Sequence, residues 1–340
     1  MEGQFFRVPL YTTYSTMIRL GYVAINTELR EQGIYTGRTI TLRKLRERGV
    51  DELRRLSLAN LADLETIVEW NERHGIRLYR VTSNLFPHLD NPLVANVVGD
   101  LAFARDRLRQ IGDLCRRYGH RITMHPGQYV QLGSPHPGVV ANSVLTLRHH
   151  AEIFEAMGLT PEMGSGMIIH GGGTFGDKEA TLSRWSDTFS SLPADVRRYI
   201  ILENDEWSWS VDDLLPFCER LGIPFCFDVF HNRISSARVK VTKRLLRRIV
   251  ATWGRGGRDI APKIHYSEQD PSLRKGSHSQ SVNSLPTWLL HLPTLLGIPG
   301  VDIMLEVKDK ERSVLRMYDK YFTRRSDDGR VEWVLNEPKS

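Results

Sequence analysis

Thiol chemistry is the first thing this sequence has little of. Only three cysteines, at positions 115, 218 and 226, occur in 340 residues. Their number is odd and no two stand in C-x-x-C spacing, which argues against a disulfide framework or a thiolate zinc site and fits a reducing compartment. No apolar run is long enough to span a bilayer. The start, Met-Glu-Gly-Gln-Phe-Phe-Arg, lacks a basic stretch followed by an apolar one, so no secretory leader is expected. There is also no internal repeat, low-complexity tract or inter-domain linker, and no G-x-G-x-x-G turn follows the first strand-like run, which counts against a doubly wound dinucleotide-binding sheet. The expectation is a soluble cytoplasmic monomer without a membrane partner, nucleoid-associated in a bacterium, nuclear or mitochondrial in a eukaryote.

What is present is ordinary in bulk and specific in placement. Apolar residues make up 41% and charged residues 25%, a globular balance. The length suits two average domains or one large α/β barrel. A net charge of +6 mildly favours an anionic partner such as nucleic acid.

Hydrophobic periodicity resolves the choice of architecture. Strand-like runs at Ile18 to Asn26, Ile76 to Thr82, Arg121 to His125, Met167 to His170, Tyr199 to Glu203, Phe225 to Asp228, Pro262 to Tyr266 and Val301 to Glu306 alternate with helical spacing. The helices are expected at Leu58 to His74, Val97 to Tyr118, Val139 to Met157, Glu179 to Leu192, Val211 to Leu221, Val239 to Trp253, Leu285 to Leu296 and Glu311 to Tyr321. Strict βα alternation requires a parallel sheet, and eight units close a (β/α)8 TIM barrel. We therefore expect a single α/β barrel domain over residues 1–322, with 323–340 as a C-terminal tail carrying one edge strand. The basic segment 27–56 reads either as a solvated excursion or as a phosphate contact.

Ligand-type residues recur at strand ends. His125, His170, Glu203, Asp228, His265 and Glu306 close the third to eighth runs. His88 follows the second, His231 lies three residues past Asp228, and His278 follows the seventh. In a barrel those ends converge on one face, where such enzymes carry their sites. Three carboxylates in one mouth repel one another unless cations compensate them. Imidazole and carboxylate donors suit manganese, zinc, cobalt, iron or magnesium, and nine donors suit a cluster of two or three ions. Such a cluster favours phosphate-ester hydrolysis, with sugar isomerases or epimerases of the same barrel class as the rival. The remaining histidines, at 74, 120, 136, 149, 150 and 291, fall away from strand ends and are expected to serve packing.

Two further features stand beside these ligands. Lys263, two residues before His265, shares its barrel-facing side. Three states are open to it: a neutral amine, an ion pair with a carboxylate such as Glu306, or a carbamate formed with carbon dioxide. After His125, Pro126-Gly127 stops the strand and leaves Gln128 and Tyr129 on a loop with no obvious core to serve.

The segments Arg-Leu-Gly-Tyr-Val at 19–23, Ser-Asn-Leu-Phe-Pro-His at 83–88, Met-His-Pro-Gly-Gln-Tyr-Val at 124–130, Leu-Glu-Asn-Asp-Glu at 202–206, Phe-Asp-Val-Phe-His at 227–231 and Lys-Ile-His-Tyr-Ser at 263–267 together resemble the UV damage endonucleases. That family is similar in fold to the abasic-site nuclease endonuclease IV, whose activity is a further alternative. The resemblance runs from about Arg19 to Tyr321. It implies a TIM barrel with a manganese-type cluster that, without ATP, nicks double-stranded DNA directly 5′ of a photolesion, leaving a 3′-hydroxyl and a 5′-phosphate. It further implies that His88, His125, His170, Glu203, Asp228, His231, His265, His278 and Glu306 are the ligands, and that Lys263 is carboxylated and catalytic beside Glu203, Asp228 and His231. Gln128 and Tyr129 would wedge into the duplex, with Tyr22 and Asn26 as further lesion-site residues. Arg233, Arg238, Arg274 and Lys275 are candidate phosphate contacts.

Overall fold

In the computed structural model, which describes residues 17–91, 101–254 and 260–337, eight parallel strands close into a barrel in sequential order. They are β1 (Met17–Val23), β2 (Leu78–Val81), β3 (Arg121–Met124), β4 (Gly166–His170), β5 (Ile200–Glu203), β6 (Phe225–Asp228), β7 (Lys263–Tyr266) and β8 (Gly300–Leu305). Closure is made by β1 against β8, with Met17 opposite Gly300 and Gly21 opposite Met304. On its other side Gly21 pairs with Leu78, and a β-carbon there would run into the Leu78 carbonyl. The barrel wall therefore has no room for a side chain at that point of Arg-Leu-Gly-Tyr-Val.

The strands β5 to β8 are short and wholly buried, because helices cover their outer faces and side chains fill their inner faces. Most helices lie within a few residues of the sequence expectation, for example Pro137–Met157, Lys178–Ser191 and Val211–Leu221, but the one expected from Leu58 begins already at Val50. Asp177, Ser210 and Thr242 cap helix starts through their side chains. Gly119, Gly158 and Gly222 end helices in the left-handed conformation. Part of the helix expected from Val97 lies outside the described residues; the visible part is Arg105–Tyr118 after a short 3-10 turn.

Two sequence expectations are corrected, and one segment left open is filled in. The helix expected over Leu285 to Leu296 is two pieces, Thr287–Leu290 and Leu292–Leu296, since Pro293 has no N–H to continue the first. The segment 27–56 is helical over Thr27–Glu31 and Leu42–Arg48 and enters the helix Val50–Arg73. Several of its arginines are occupied by carboxylates, Arg38 by Asp63, Arg43 by Glu47 and Arg48 by Glu52. The tail forms two strands rather than one, β9 (Phe322–Asp327) and β10 (Arg330–Leu335), paired antiparallel with each other. A closed barrel offers no edge to extend, so the hairpin docks by side chains. Trp333 stacks on Tyr318 at 4.9 Å and donates its indole N–H to the His74 carbonyl, and Arg77 donates to the Val331 carbonyl.

Candidate metal centre and mouth

The C-terminal ends of the strands surround a mouth of about 570 Å³ whose lining includes His125, His170, His231, His278, Glu306, Glu206, Arg80 and Arg274. Beneath it the ligand-type side chains converge. The His125 Nε2 lies 3.1 Å from one Glu203 oxygen and the His265 Nδ1 lies 2.6 Å from the other. The same His265 nitrogen is 3.0 Å from Glu306. His170 approaches Glu203 at 4.0 Å and His278 approaches Glu306 at 3.9 Å. Donor atoms of Glu203, Asp228, His265 and Glu306 all lie within 4.8 Å of one another, as do those of His125, His170 and Glu203. The rings of His231 and His278 complete the circle, with centroids 6.0 Å apart.

Local sequence explains how these groups are aimed. Asp228 caps the short helix Val229–Ile234 with one oxygen, accepting from the His231 amide at 2.6 Å. Its other oxygen is buried without a hydrogen-bond partner. Asn204, next to Glu203, fastens the β5 tip to the β6 tip, donating to the Asp228 carbonyl and accepting its N–H. The Asn204 carbonyl lies 3.1 Å from the His231 Nδ1, and the Pro126 carbonyl holds the His125 Nδ1 in the same way. Outer contacts of this kind fix which imidazole nitrogen faces a metal.

The electrostatics carry the mark of an uncompensated cluster. Burial pushes the Asp228 carboxyl up to about 7, with Glu203 and Glu306 adding to the rise and His231 opposing it. Burial would likewise raise Glu203, but His265, His125 and His170 outweigh it and hold it well below the usual range. Burial pushes His170 down to about 4. His231 goes the other way, to about 9, because Asp228 and its neighbouring carboxylates overcome burial. A buried carboxylate oxygen with no hydrogen bond, 3.6 Å from the His231 Nδ1, among two other carboxylates and five imidazoles fits divalent cations: hard oxygen and borderline nitrogen donors, ready-made and desolvated.

Eight of the nine expected ligands are therefore brought together, and His88 is not. It adopts a left-handed backbone conformation, and its Nε2 is bonded to the Ile40 carbonyl, outside the mouth lining. The rigid turn after Phe86-Pro87 sends the ring toward the 27–56 excursion, a partner that strand-end position does not reveal. Tyr22 and Asn26 are also corrected. Tyr22 is fully buried and donates to Asn71, while Asn26 donates to Tyr22 and caps the helix Thr27–Glu31. Both are occupied by the core. Gln128 and Tyr129 stand exposed on the mouth rim as expected, and the Tyr129 hydroxyl donates to Asp90 at 2.8 Å. Among the packing histidines, His74, His120 and His150 bond to Trp70, Glu72 and Thr146.

Lys263 lies one barrel layer below His265. Its Nζ is 2.6 Å from Asp302, so the ion-pair alternative is realised with a carboxylate other than Glu306, which Arg80 takes instead. Arg19 and Arg121 hold the same Asp302. Burial pulls the Lys263 ammonium down to about 8 against the attraction of Asp302. Sequence reading missed Arg80, Asp302, Asn204 and Cys226, whose sulfur joins Glu203 and His265. Period-2 alternation back from the strand ends would have found Cys226. Arg274 lines the mouth, while Arg233 lies over the Phe230 ring and Arg238 is exposed elsewhere on the surface.

Comparison with known proteins identifies the family and the fold. A model of the UV-endonuclease UvdE family matches residues 18–330. A protein of Acanthamoeba polyphaga mimivirus is 47% identical over 325 residues, covering 95% of this chain and 98% of that protein. The UV-damage endonuclease of Schizosaccharomyces pombe is 36% identical over 316 residues, 89% of this chain but 50% of its own length; the chain thus spans about half of that relative. The crystal structure of SacUVDE superposes with a TM-score of 0.75 at 33% identity, covering 88% of this chain and 96% of the other.

Proposed function

This chain belongs to the UV-endonuclease UvdE family, and on that premise we propose that it is a UV-damage DNA endonuclease, a hydrolase whose divalent cations assist cleavage of the phosphodiester directly 5′ of a photolesion. The products on this reading are a 3′-hydroxyl and a 5′-phosphate, without ATP, and the lesions are cyclobutane dimers and 6-4 photoproducts. The carrying observation is the buried Asp228 oxygen that makes no hydrogen bond and lies 3.6 Å from the His231 Nδ1, among Glu203, Glu306 and five histidines, a donor set too rich and too charged to be idle.

Bound there, two or three divalent cations, manganese first among them and zinc, cobalt or magnesium as alternatives, would supply charge neutralisation at the phosphate and an acidified water. The ligands would be His125, His170, Glu203, Asp228, His231, His265, His278 and Glu306. Arg274, at the mouth, would meet the incoming phosphates, while Arg80 is held by Glu306. Glu206, 3.6 Å from the His231 Nε2, stands beside the nitrogen that would face a cation and adds a further carboxylate at the mouth.

Lesion selection falls to Gln128 and Tyr129. Removing a dimer from the stack costs a few kcal/mol, less at a distorted step, and an aromatic ring refilling the gap recovers roughly 1 to 3 kcal/mol. Damage is then read as deformability, without base-specific contacts. Pro126-Gly127 is the short rigid link that sets the distance from this probe to the metal ligand His125.

The reading includes carboxylation of Lys263. Arg19, Arg121 and Lys263 put three cations on the single Asp302 carboxylate, and a carbamate on Lys263 would bring that group of four to neutrality. A pKa near 8 also enlarges the share of free amine, the form that attacks carbon dioxide.

The test is a nicking assay on supercoiled plasmid, irradiated and unirradiated, with manganese and with chelator. Irradiation-dependent, chelator-sensitive nicking is expected, and end-labelled oligonucleotides holding one dimer give the position and termini of the cut. Nicking that ignores irradiation, or none under any metal, overturns the reading.

A further inference from the structure

Among the described residues four aromatic side chains are exposed: Tyr35, Tyr129, Phe175 and Trp207. Three of these follow successive strands, β3, β4 and β5, on the face that holds the metal ligands. Trp207 is the most exposed, at 69%, and of the chain's seven tryptophans it is the exposed one.

Its exposure is built rather than incidental. One Asp205 oxygen accepts the backbone N–H groups of Trp207, Ser208 and Trp209, and the Asp205 N–H returns to the Trp209 carbonyl. Trp209 itself is buried, with its indole N–H donated to the Gly172 carbonyl at 2.7 Å. The loop is thereby tied at both ends, and Trp207 stands at its apex with little ordering entropy left to lose on contact. The preceding residue, Glu206, lines the mouth.

The surroundings are cationic. The Lys275 Nζ lies 5.6 Å from the Trp207 ring centroid, and its neighbours Arg274 and Gly276 line the mouth. The β5 and β7 loops touch, since a β-carbon at Gly276 would come within 3.4 Å of Glu206. A rigid aromatic ring with a cation over one face, on the rim of a site for a polyanion, has the composition of a single-strand platform: the other face for a base, the ammonium for its phosphate.

We propose that Trp207 is a second aromatic contact to DNA, two strands round the rim from Tyr129, stacking on a nucleobase unpaired by the wedge while Lys275 holds an adjoining phosphate. The proposal rests on the reading of the mouth as a DNA site.

Binding measured in chelator separates the two. A fluorescent duplex carrying one cyclobutane dimer is titrated with wild type, Trp207→Ala, Trp207→Phe and Lys275→Ala, followed by anisotropy, with circular dichroism to verify folding. Trp207→Ala is expected to weaken binding roughly thirtyfold, a mid-range value for one stacked base, and Trp207→Phe to restore most of it. Lys275→Ala should lower the salt dependence of binding by about one phosphate contact. In the wild type, iodide quenching of the exposed indole should fall when DNA is bound. If wild type binds the damaged duplex but Trp207→Ala binds as tightly, or iodide reaches Trp207 equally in the complex, the platform is refuted while the endonuclease reading stands. If wild type binds no duplex, both fall. If it binds but never nicks irradiated plasmid, the endonuclease reading falls and the comparison of variants still decides the platform.

Discussion

The Lys263 Nζ sits 2.6 Å from Asp302 Oδ2 on the neighbouring strand, with Arg19 and Arg121 on the same carboxylate. Asp302 is fully buried and is held far below the usual carboxylate range by those cations, which overcome the opposing effect of burial. Removing it strands the charges. Asp302→Asn should cost roughly 3 to 5 kcal/mol, the scale for breaking a buried pair from one side. Because its folded pKa is depressed, the stability it contributes is complete above the unfolded carboxyl value and is lost as pH falls toward the folded one. Thermal denaturation at pH 7 and at pH 3 should show the gap from wild type narrowing with acid.

Lys263 carries its own expectation. Native mass spectrometry of protein kept in bicarbonate should show one added carbon dioxide, lost on acidification and absent from Lys263→Arg. A bare ammonium in bicarbonate at pH 8 would contradict the carbamate and leave the Asp302 ion pair as the working state.

Asp228 should behave opposite to an ordinary carboxylate in metal-free protein. Its folded pKa is raised to about 7, chiefly by burial, so its contribution to stability is lost as pH rises through that value. Asp228→Asn should therefore stabilise metal-free protein more at pH 8 than at pH 5. In wild type, protons compete with cations for the site, so manganese binding measured by calorimetry should strengthen from pH 6 to pH 8. Equal affinity at both would mean that Asp228 is not a ligand.

Asn204 holds the β5 and β6 tips together without facing the mouth centre. Asn204→Ala should reduce metal affinity roughly 10- to 100-fold, as loss of an outer-shell partner does, with an unchanged stoichiometry. His88→Ala is the contrasting control, since its ring is bonded to Ile40: bound metal by elemental analysis should match wild type, and a lost ion would restore His88 to the ligand set.

For the probe, Gln128→Ala with Tyr129→Ala should abolish preference for irradiated DNA while leaving metal content unchanged. Inserting one residue between Gly127 and Gln128 should keep damage binding and lose correctly placed cutting; normal cutting would refute the role of the link.

The amino-acid sequence alone determined the barrel, because period-2 and 3.6 alternation follows from which face of each strand and helix meets water, and eight such units have one way to close. It also placed most of the candidate site, since strand ends converge in any closed parallel barrel; His125, His170, Glu203, Asp228, His265 and Glu306 come together from strand-end position alone. Side-chain destinations across the chain were left to the tertiary structure. His88 found the Ile40 carbonyl, Tyr22 found Asn71, Lys263 found Asp302, and the tail paired with itself. Each outcome depends on a partner 39 to 49 residues away, or on an edge the closed barrel does not offer. Periodicity is a property of neighbours along the chain; hydrogen bonds and ion pairs between distant elements are decided only once packing has brought those elements within reach.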